Sequence, residues 1–423
     1  MACGRVVRRF AAGVSAIVLM ASCGNGGGDG SSDLLLTVPS RSVAVMQFRH
    51  CGDALRFLTD SMSVFRKLDL HRLENARMVL SYDYSARLIP LLAIDVGRAS
   101  DDTSSVVAGI IGQAEDLGLC CSYTGSALHG RAALLLSPSR ASILEAEEHI
   151  RAGASIMDAR AFPEAVSSWS GEGLVILRGG KAARWLPSSV LSGTVPRRKL
   201  VAFLDEIAEW TVFDLPSCEW KDASVRFVTG GKEDYLGTWM PGGQGASSRV
   251  REILPEGTSL VLDLPLKSWK EWYSSYRGFL DSRARLARHD SMLASLKGVS
   301  GTAPVKWMEQ VDPQEIALVR WDSGELLLLR TRRKIREASS GDNPYRGFVP
   351  AVFGKAFETA DDSCLGRSGC WLAMGSPGDV ELFLEGFSSA ADLQMPVKDV
   401  KFAVWTPEFS LSGAGDGVLF NVY

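Results

Sequence analysis

The 423-residue sequence lacks the motifs that mark the common catalytic classes. Its five histidines include no pair at metal-ligand spacing, and it has neither a G-x-S-x-G nucleophile motif nor a complete glycine-rich phosphate loop. His50 stands beside Cys51, but neighbouring residues of a strand point to opposite faces, so the pair does not form a nucleophile and its base. These absences argue against a metalloprotease, a serine hydrolase and a nucleotide-binding enzyme, and we expect no metal and no other cofactor.

A strong net charge is also missing. The chain has 46 Lys and Arg against 49 Asp and Glu, for a formal charge of −3. Proteins that bind nucleic acid by its phosphates need a basic surface, so we expect no nucleic-acid partner. Hydrophobic residues make up 46% of the chain, which is enough to fill cores in two or three domains.

The amino-terminal segment has the pattern of a secretory signal peptide. Arg5, Arg8 and Arg9 precede an apolar stretch of 11 residues, Phe10–Met20, and Ala21-Ser22-Cys23 comes next. This stretch is shorter than the roughly 20 residues of a membrane-spanning helix, so an uncleaved anchor is disfavoured. One alternative is an ordinary signal peptide that is cleaved nearby without lipidation.

The segment that ends at Cys23 resembles the signal peptide of bacterial lipoproteins, in which small residues precede the cysteine at the cleavage site. Met20 stands where that family usually has leucine. The resemblance implies that residues 1–22 are removed, that Cys23 carries diacylglycerol, and that its new amino terminus is acylated, with palmitate as the typical chain. We therefore expect an anchor in the bacterial cell envelope, in the outer membrane, with its face left open. The Gly- and Ser-rich residues 23–36 would form a flexible tether.

The rest of the chain repeats three landmarks in the same order. Strand patterns at 43–48 and 260–264 follow Pro39 and Pro255, and these two prolines are 216 residues apart. The hairpin strand Met78–Asp83 resembles Ala317–Asp322, and Leu134–Pro138 resembles Ala373–Pro377, both at an offset of 239 residues. A weaker fourth match aligns Trp210 with Trp405 at an offset of 195 residues, and implies that the second copy lacks a stretch like Arg151–Arg184.

These repeats predict an α+β fold of two related halves, 37–229 and 251–423, joined by a Gly-rich linker at 230–250. Each half would be a mainly antiparallel sheet with helices on one face. The predicted helices include Lys267–Arg288, which carries several aromatic residues. The segment Leu134–Pro138, its following helix and Gly153–Ile156 also resemble uncharacterised exported bacterial proteins built from repeated β-β-α units. That resemblance implies fold and export but no chemistry.

Three groups of residues are candidates for a functional role. Cys364 and Cys370 flank a five-residue loop and could form a disulfide in an oxidising compartment. The helix with Trp269, Trp272, Tyr273 and Tyr276 has an aromatic stripe that is typical of core packing, with an exposed groove for a sugar chain or a partner as the alternative. Arg330, Arg332, Arg333 and Lys334 form a basic cluster, either a solvated loop or a patch for anionic polymers or lipid head groups.

The leading hypothesis is a lipid-anchored envelope protein that is not an enzyme and that binds a protein or a polysaccharide. The alternative is an envelope hydrolase whose site is assembled from distant residues, such as Asp83 and Asp322 at the two matched hairpins. The sequence leaves the ligand, the partner and the oligomeric state open.

Overall fold

The structure is a computed structural model of the chain. It describes residues 34–57, 65–84, 88–97, 101–125, 128–167, 169–179, 203, 205–231, 233–239, 245–334, 337–387, 395, 398, 400–405, 409–414 and 417–422. Cys23, the predicted signal peptide and most of the predicted tether lie outside these residues.

Within the described residues the chain forms seventeen strands and ten α-helices. The strands are β1 (Ala44–Phe48), β2 (Met78–Tyr84), β3 (Leu88–Gly97), β4 (Cys120–Tyr123), β5 (Ala132–Ser137), β6 (Gly173–Arg178), β7 (Trp210–Leu215), β8 (Ser224–Val228), β9 (Thr258–Pro265), β10 (Pro313–Trp321), β11 (Glu325–Thr331), β12 (Ser339–Asp342), β13 (Cys364–Ser368), β14 (Trp371–Gly375), β15 (Val400–Trp405), β16 (Phe409–Ala414) and β17 (Gly417–Val422). The helices are α1 (Cys51–Phe57), α2 (Asp101–Asp116), α3 (Arg140–Ala152), α4 (Phe162–Val166), α5 (Leu236–Trp239), α6 (Trp269–Ser282), α7 (Leu286–Ser300), α8 (Pro304–Val311), α9 (Phe348–Phe353) and α10 (Pro377–Glu385).

The strands form two antiparallel sheets that are joined edge to edge. The first sheet has the order β4-β5-β3-β2-β1-β6-β7-β8. The second has the order β13-β14-β11-β10-β9-β15-β16-β17, with β12 added outside β13. Strands β8 and β17, which occupy the same place in the two orders, pair with each other and join the sheets. The predicted α+β fold of two related halves is confirmed.

The two sheets also share their pairing register. Residues that stand side by side across the first sheet have counterparts that stand side by side across the second. The first line is Cys121, Leu136, Leu92, Leu80, Met46, Val175, Phe213 and Val225. The second line is Leu365, Met374, Leu327, Leu318, Leu262, Val404, Leu411 and Phe420. Agreement over eight strands in order and register is the pattern that an internal duplication produces.

This register corrects two of the alignments made from the sequence. Leu80 and Leu318 both enter the apolar cluster that the halves share, whereas Val319, at offset 239, faces the opposite side, so the offset is 238; Leu136 of β5 and Met374 of β14 have the same offset. A shift of one residue exchanges the two faces of a strand, so it decides which side chains are equivalent. Trp210 and Trp405 are not counterparts, because Trp210 begins β7 whereas Trp405 ends β15, the counterpart of β6. What the second half lacks is the long connection between β6 and β7.

Helices cover both faces of the joined sheets, whereas the sequence indicated one face only. Alternate side chains along each strand enter different apolar clusters. On one face, residues such as Met46 and Leu262 belong to a large cluster that both halves share. Helices α2, α6, α8 and α9 pack on this shared face. On the opposite face each half has its own smaller cluster, under α3 and α4 in the first half and under α10 in the second. The shared layer makes the two halves depend on each other for burial.

The predicted helix Lys267–Arg288 is two helices. Ser268 caps the first helix by accepting a hydrogen bond from the Glu271 amide, and the helix ends at Ser282. Ala284 then has a φ of 53°, a left-handed conformation that a helix interior does not accommodate. Helix α7 starts two residues later, in a new direction. The break separates three arginines that a continuous helix would carry in series.

The described residues of the predicted linker 230–250 include packed ones. Its helix α5 buries Leu236, and a Cβ on Gly237 would lie 2.5 Å from the Ile207 carbonyl oxygen. Ala246 pairs with Val400, which ties the end of the segment to the second sheet. The segment therefore bridges the halves by contact as well as by connection.

The predicted disulfide between Cys364 and Cys370 is wrong. Cys364 is the first residue of β13, and Cys370 lies in the turn that leads to β14, so the length of a hairpin arm separates them. The four steps from Cys364 to Ser368 along β13 span roughly 13 Å, well beyond the limit of about 7 Å between the Cα atoms of a disulfide. Both thiols are free.

A buried ion pair occurs at the same place in both halves with its charges exchanged. In the first half Arg77 Nη2 lies 2.6 Å from Asp95 Oδ2. In the second half the counterpart of Arg77 is Glu315 and the counterpart of Asp95 is Arg330, whose Nε lies 2.7 Å from Glu315 Oε2. Each half thus pairs a buried carboxylate with an arginine of the neighbouring strand, and the two signs are exchanged between the halves. Arg330 is thus a half-buried partner of the buried Glu315 and not part of an exposed patch.

A second carboxyl lies next to the pair in the second half only. Glu315 is fully buried and accepts hydrogen bonds from the Arg249 and Val250 amides, each at 2.8 Å. Asp263, 2% exposed, lies beside Glu315 and Ser248, within hydrogen-bonding reach of both. Burial, and next the negative charge of Glu315, raise the pKa of Asp263 well above its usual value. Asp263 therefore keeps its proton in the folded protein at a pH where it loses it in the unfolded chain.

We expect Asp263→Asn to stabilise the protein more at pH 8 than at pH 5. As pH rises above about 4, the unfolded wild-type chain releases the Asp263 proton while the folded chain retains it, so wild-type stability falls. Asparagine does not titrate, so the variant escapes this loss, which is about 1.4 kcal/mol for each unit by which the pKa is raised. Urea unfolding of both proteins at the two pH values measures the difference.

Asp95→Asn is the matched control. Burial alone would raise the pKa of Asp95, but hydrogen bonds from Arg131, the Gly97 amide and Arg77 outweigh burial and hold that pKa below its usual value. Asp95 is then ionised in both states at pH 5 and at pH 8, so its replacement should cost the same free energy at both. A stability difference for Asp263→Asn that is equal at the two pH values would contradict the assignment.

Candidate functional site

A large cleft lies between the first half and the helices of the second. Its volume is about 1230 Å³. The first half contributes residues at the end of β6 and just before β7. The second half contributes residues of α6, α7 and α9. Residues of the segment 205–208 line the cleft between these two walls. Sites for drug-sized molecules measure roughly 300–1,000 Å³, so this cleft has room for a larger or longer ligand.

In the wall from the first half, the charged side chains compensate one another. Arg178 Nη2 lies 3.2 Å from Glu209 Oε1, and the Gly179 amide donates to the Glu209 carbonyl oxygen at 2.9 Å. Arg160 approaches the other oxygen of Glu209 at 3.8 Å, and Tyr235 is hydrogen-bonded to the Glu209 carboxyl. Glu209 is 6% exposed and has partners on several sides, so its charge is compensated within the protein.

Tyr235 lies between two arginines at the rim of this wall. The guanidinium carbons of Arg160 and Arg283 are 5.9 Å and 5.8 Å from the centre of its ring. Burial, and next the charge of Glu209, raise the pKa of Tyr235 to about 12, so it stays a neutral hydrogen-bonding group. Its ring is engaged by cations and is not free to stack on a ligand.

The wall from the second half carries the arginines that the helix break sets apart. Arg283 Nη1 donates to the Asp234 carbonyl oxygen at 3.0 Å. Arg285, on the other side of Ala284, directs Nη1 toward Glu206 at 3.7 Å. Arg288 comes one turn later on α7 and is exposed. The left-handed Ala284 thus spreads these positive charges along the cleft.

Glu206 is a partly buried carboxyl of the cleft that makes no close ion pair with any described residue. Its side chain is 22% exposed and its partner Arg285 is at the long distance of 3.7 Å. Burial raises the pKa of Glu206, and the charges of Arg285, Arg283 and Lys355 oppose that rise without cancelling it. A perturbed carboxyl inside a cleft is a frequent mark of a functional site.

Gly354 brings the backbone close to Glu206 and to Tyr276. A Cβ at this position would lie 3.5 Å from the Tyr276 hydroxyl and 3.7 Å from Glu206 Oε2, and its φ of 101° excludes most side chains. Burial, and next the charge of Glu206, raise the pKa of Tyr276. Its hydroxyl is therefore a neutral hydrogen-bonding group beside the carboxyl.

His289 lies at the base of the same wall. It is 5% exposed, and its Nε2 is 3.4 Å from the Tyr273 hydroxyl. Burial, and next the positive charge of Arg277, lower the pKa of His289. The ring is thus held neutral at a pH where a free imidazole is partly charged.

Positive groups outnumber negative groups in the lining. The six cations are Arg41, Arg178, Arg283, Arg285, Arg288 and Lys355, and the four carboxyl groups are Asp205, Glu206, Glu209 and Glu358. Arg41 is paired with Asp83 and Glu145 outside the cleft. Arg288 and Lys355 have no carboxylate within ion-pair distance in the part of the chain that the structure describes. With Arg41 set aside, five cations face four carboxyl groups, so the cleft of this mildly acidic protein carries a small excess of positive charge.

The aromatic stripe on α6 is mostly core, as the sequence favoured. Trp269, Trp272 and Tyr273 are at most 9% exposed and belong to the cluster shared by both halves. The alternative of an exposed aromatic groove is wrong for these residues. Tyr276 is also buried, but its hydroxyl end reaches the cleft lining.

The basic cluster after β11 is divided by the structure. Arg330 is the half-buried partner of Glu315, and Arg332 Nε lies 3.3 Å from Asp312. Arg333 and Lys334 are exposed. None of the four lines the cleft, so the patch that remains consists of two solvated cations.

Asp83 and Asp322 do not form a joint site. Asp83 is buried and lies 2.5 Å from Arg41 Nε, whereas Asp322 is exposed beside the turn at Gly257. Nine strand-to-strand steps separate β2 from β10 in the joined sheets. The Cys51 thiol is buried too, and burial raises its pKa to about 12, which makes it a poor nucleophile.

Sequence reasoning missed the cleft. One available signal was the spacing of Arg283, Arg285 and Arg288 at the end of a predicted aromatic helix, where the pattern of apolar residues weakens. Glu206 and Lys355 gave no signal, because they come from segments far apart in the chain.

Comparison with protein families, with curated proteins and with solved structures finds no significant match to this chain. Among the described residues there is no helix of the length and hydrophobicity needed to cross a membrane. The same residues contain no group of three or more His, Cys, Asp and Glu placed to hold a metal ion. The function must therefore be argued from the cleft itself.

We expect a smaller fraction of His289 to be charged at pH 6 than of a histidine in the unfolded chain, whose pKa is near 6.5. Because its folded pKa is lowered, its protonation opposes folding and becomes costly as pH falls below about 6.5. An NMR titration of the histidine rings, assigned with His289→Gln, measures this pKa. Arg277→Gln removes the nearby positive charge and should raise the pKa of His289, and an unchanged value in that variant would contradict the assigned cause.

Proposed function

We propose that the protein is a lipid-anchored component of the bacterial cell envelope that binds an acidic polysaccharide in the cleft between its halves. The observation that carries the proposal is the basic lining of this cleft in a chain with net negative charge. Arg288 and Lys355 have no carboxylate partner among the described residues, and Arg285 has a distant one. Such cations are suited to the carboxylates of an extended polymer, because the rest of the surface repels polyanions.

The size and the neutral groups of the cleft also favour a sugar chain. A volume of about 1230 Å³ can hold a segment of several residues. Tyr276 and His289 are neutral there, and neutral hydroxyl and imidazole groups exchange hydrogen bonds with sugar hydroxyls. The arrangement supports binding, while Glu206 is the residue to which a hydrolytic reaction would have to be assigned.

The anchor is proposed from Cys23 and its flanking sequence. We expect Cys23→Ala to move the protein from the membrane fraction to the soluble fraction of the cell envelope, because acyl chains at this residue would be its attachment. Fractionation followed by immunoblotting measures the distribution. The variant should keep the melting temperature of the soluble domain, and continued membrane retention would contradict the anchor.

Binding can be tested with alginate oligomers as an acidic probe and dextran oligomers of equal length as a neutral one. We expect alginate, and not dextran, to bind the soluble domain, with an affinity that falls as salt is added. The variant Arg288→Glu/Lys355→Glu should lose at least about tenfold in affinity, equal to 1.4 kcal/mol. Isothermal titration calorimetry measures the affinity, and analysis of oligomer length after incubation reports cleavage.

The matched control is Arg333→Glu/Lys334→Glu, which makes the same change of charge on exposed residues outside the cleft. We expect it to keep alginate affinity within about twofold, the scale of a screened surface charge. Loss of binding in this control, together with retained binding in the cleft variant, would assign the ligand to the basic cluster after β11. Shortened oligomers would instead favour a hydrolase.

A further inference from the structure

Glu206 is surrounded by the groups that a bound anion would use. Arg285 and Arg283 face it from the turn between α6 and α7, Tyr276 from α6, and Lys355 from the segment after α9. Asp205, on its own segment, adds a negative charge. The carboxyl of Glu206 thus stands among several cations, and with the described residues it makes one long ion pair, at 3.7 Å.

A third carboxyl of the same segment, Glu209, behaves differently from Glu206. Glu209 has close partners in Arg178 and Tyr235 and is 6% exposed. Its charge holds the wall of the cleft together and is not available for exchange. Glu206, at 22% side-chain exposure and with a distant partner, can change its charge or its position without breaking a close hydrogen bond shown by the structure.

We propose that Glu206 is an internal counter-ion of the cleft, which a carboxylate of the ligand replaces among Arg283, Arg285 and Lys355. This inference rests on the proposed function and adds how binding at that site is regulated. The empty cleft keeps its cations compensated by Glu206, so a ligand must supply a better-placed anion to bind. Neutralising Glu206 frees the cations and strengthens binding.

Proton uptake is the natural way to neutralise this residue. The pKa of Glu206 is raised by burial, so its carboxyl takes up a proton at a higher pH than an exposed glutamate, whose pKa is near 4.3. The charges that face it remain fixed across this range, because arginine and lysine titrate far above neutral pH and Tyr276 stays protonated. Affinity for an anionic ligand should therefore rise as pH falls from 8 toward 5.

The test compares wild type, Glu206→Gln and Glu358→Gln, with Glu358 as an exposed carboxylate of the same lining. At pH 8 we expect Glu206→Gln to bind alginate oligomers about fivefold more tightly than wild type, the scale of one partly screened charge interaction. The difference should shrink at pH 5, where wild-type Glu206 is closer to its protonated form. Glu358→Gln should differ from wild type by less than about twofold at both pH values. Equal or weaker binding by Glu206→Gln at pH 8 would overturn the inference.

A second measurement separates this inference from the proposed function. Sulfate is a small anion that can occupy the freed cations whether or not the cleft accepts a polysaccharide. We expect sulfate at pH 8 to raise the melting temperature of Glu206→Gln more than that of wild type or of Glu358→Gln. If alginate binds none of the proteins while this sulfate effect is present, the proposed ligand fails and the counter-ion stands. Equal sulfate effects in all three proteins would overturn the counter-ion even if alginate binds.

Discussion

The structure depends on one apolar layer that neither half completes alone. Met46 and Leu262, at equivalent positions of the two sheets, belong to the same buried cluster, and α6 packs on it. Where the sheets meet, Phe402 of the second half lies with its ring centre 5.2 Å from that of Phe203 and 5.9 Å from that of Phe227. Because burial of apolar surface is the main stabilising contribution, the halves are held as one unit. The cleft is the gap left where helices of the second half reach across toward the first.

The charge-exchanged ion pair shows what the duplicated fold keeps and what it leaves free. Arg77 and Asp95 in one half, and Glu315 and Arg330 in the other, place opposite charges on neighbouring strands of a buried face. Removing one partner would leave an uncompensated buried charge, which typically costs about 3–5 kcal/mol. Reversal of both signs avoids that cost. A buried charge at this place must be compensated by an opposite charge. Asp263, which lies beside the Glu315–Arg330 pair, adds no further charge because it remains neutral.

The sequence predicted the strands and the pairing of halves well, because alternation along a strand and repeated spacing are local signals. It predicted the offset between the halves with an error of one residue. The error arose because strand patterns alone do not show which side chains face each other. It missed the break at Ala284, where a residue without special backbone freedom adopts a left-handed conformation under tertiary contacts. It placed Cys364 and Cys370 together because spacing along the chain says nothing about hairpin geometry. The cleft could not be predicted, because Glu206, Arg285 and Lys355 come together only through the tertiary fold.

Glu206 and Glu209 have different roles in the cleft: Glu209 stabilises its wall, and Glu206 is the group that we propose a ligand replaces. Only three positions apart, they differ because β7 begins immediately after Glu209, which fixes it against Arg178 on the neighbouring strand. Glu206 precedes the strand by a turn and faces the second half instead, where Arg285 reaches it only at 3.7 Å. Glu206 therefore belongs to the interface between the halves, and Glu209 belongs to the scaffold of the first half. A ligand that replaces the charge of Glu206 would contact both halves without disturbing the core of either.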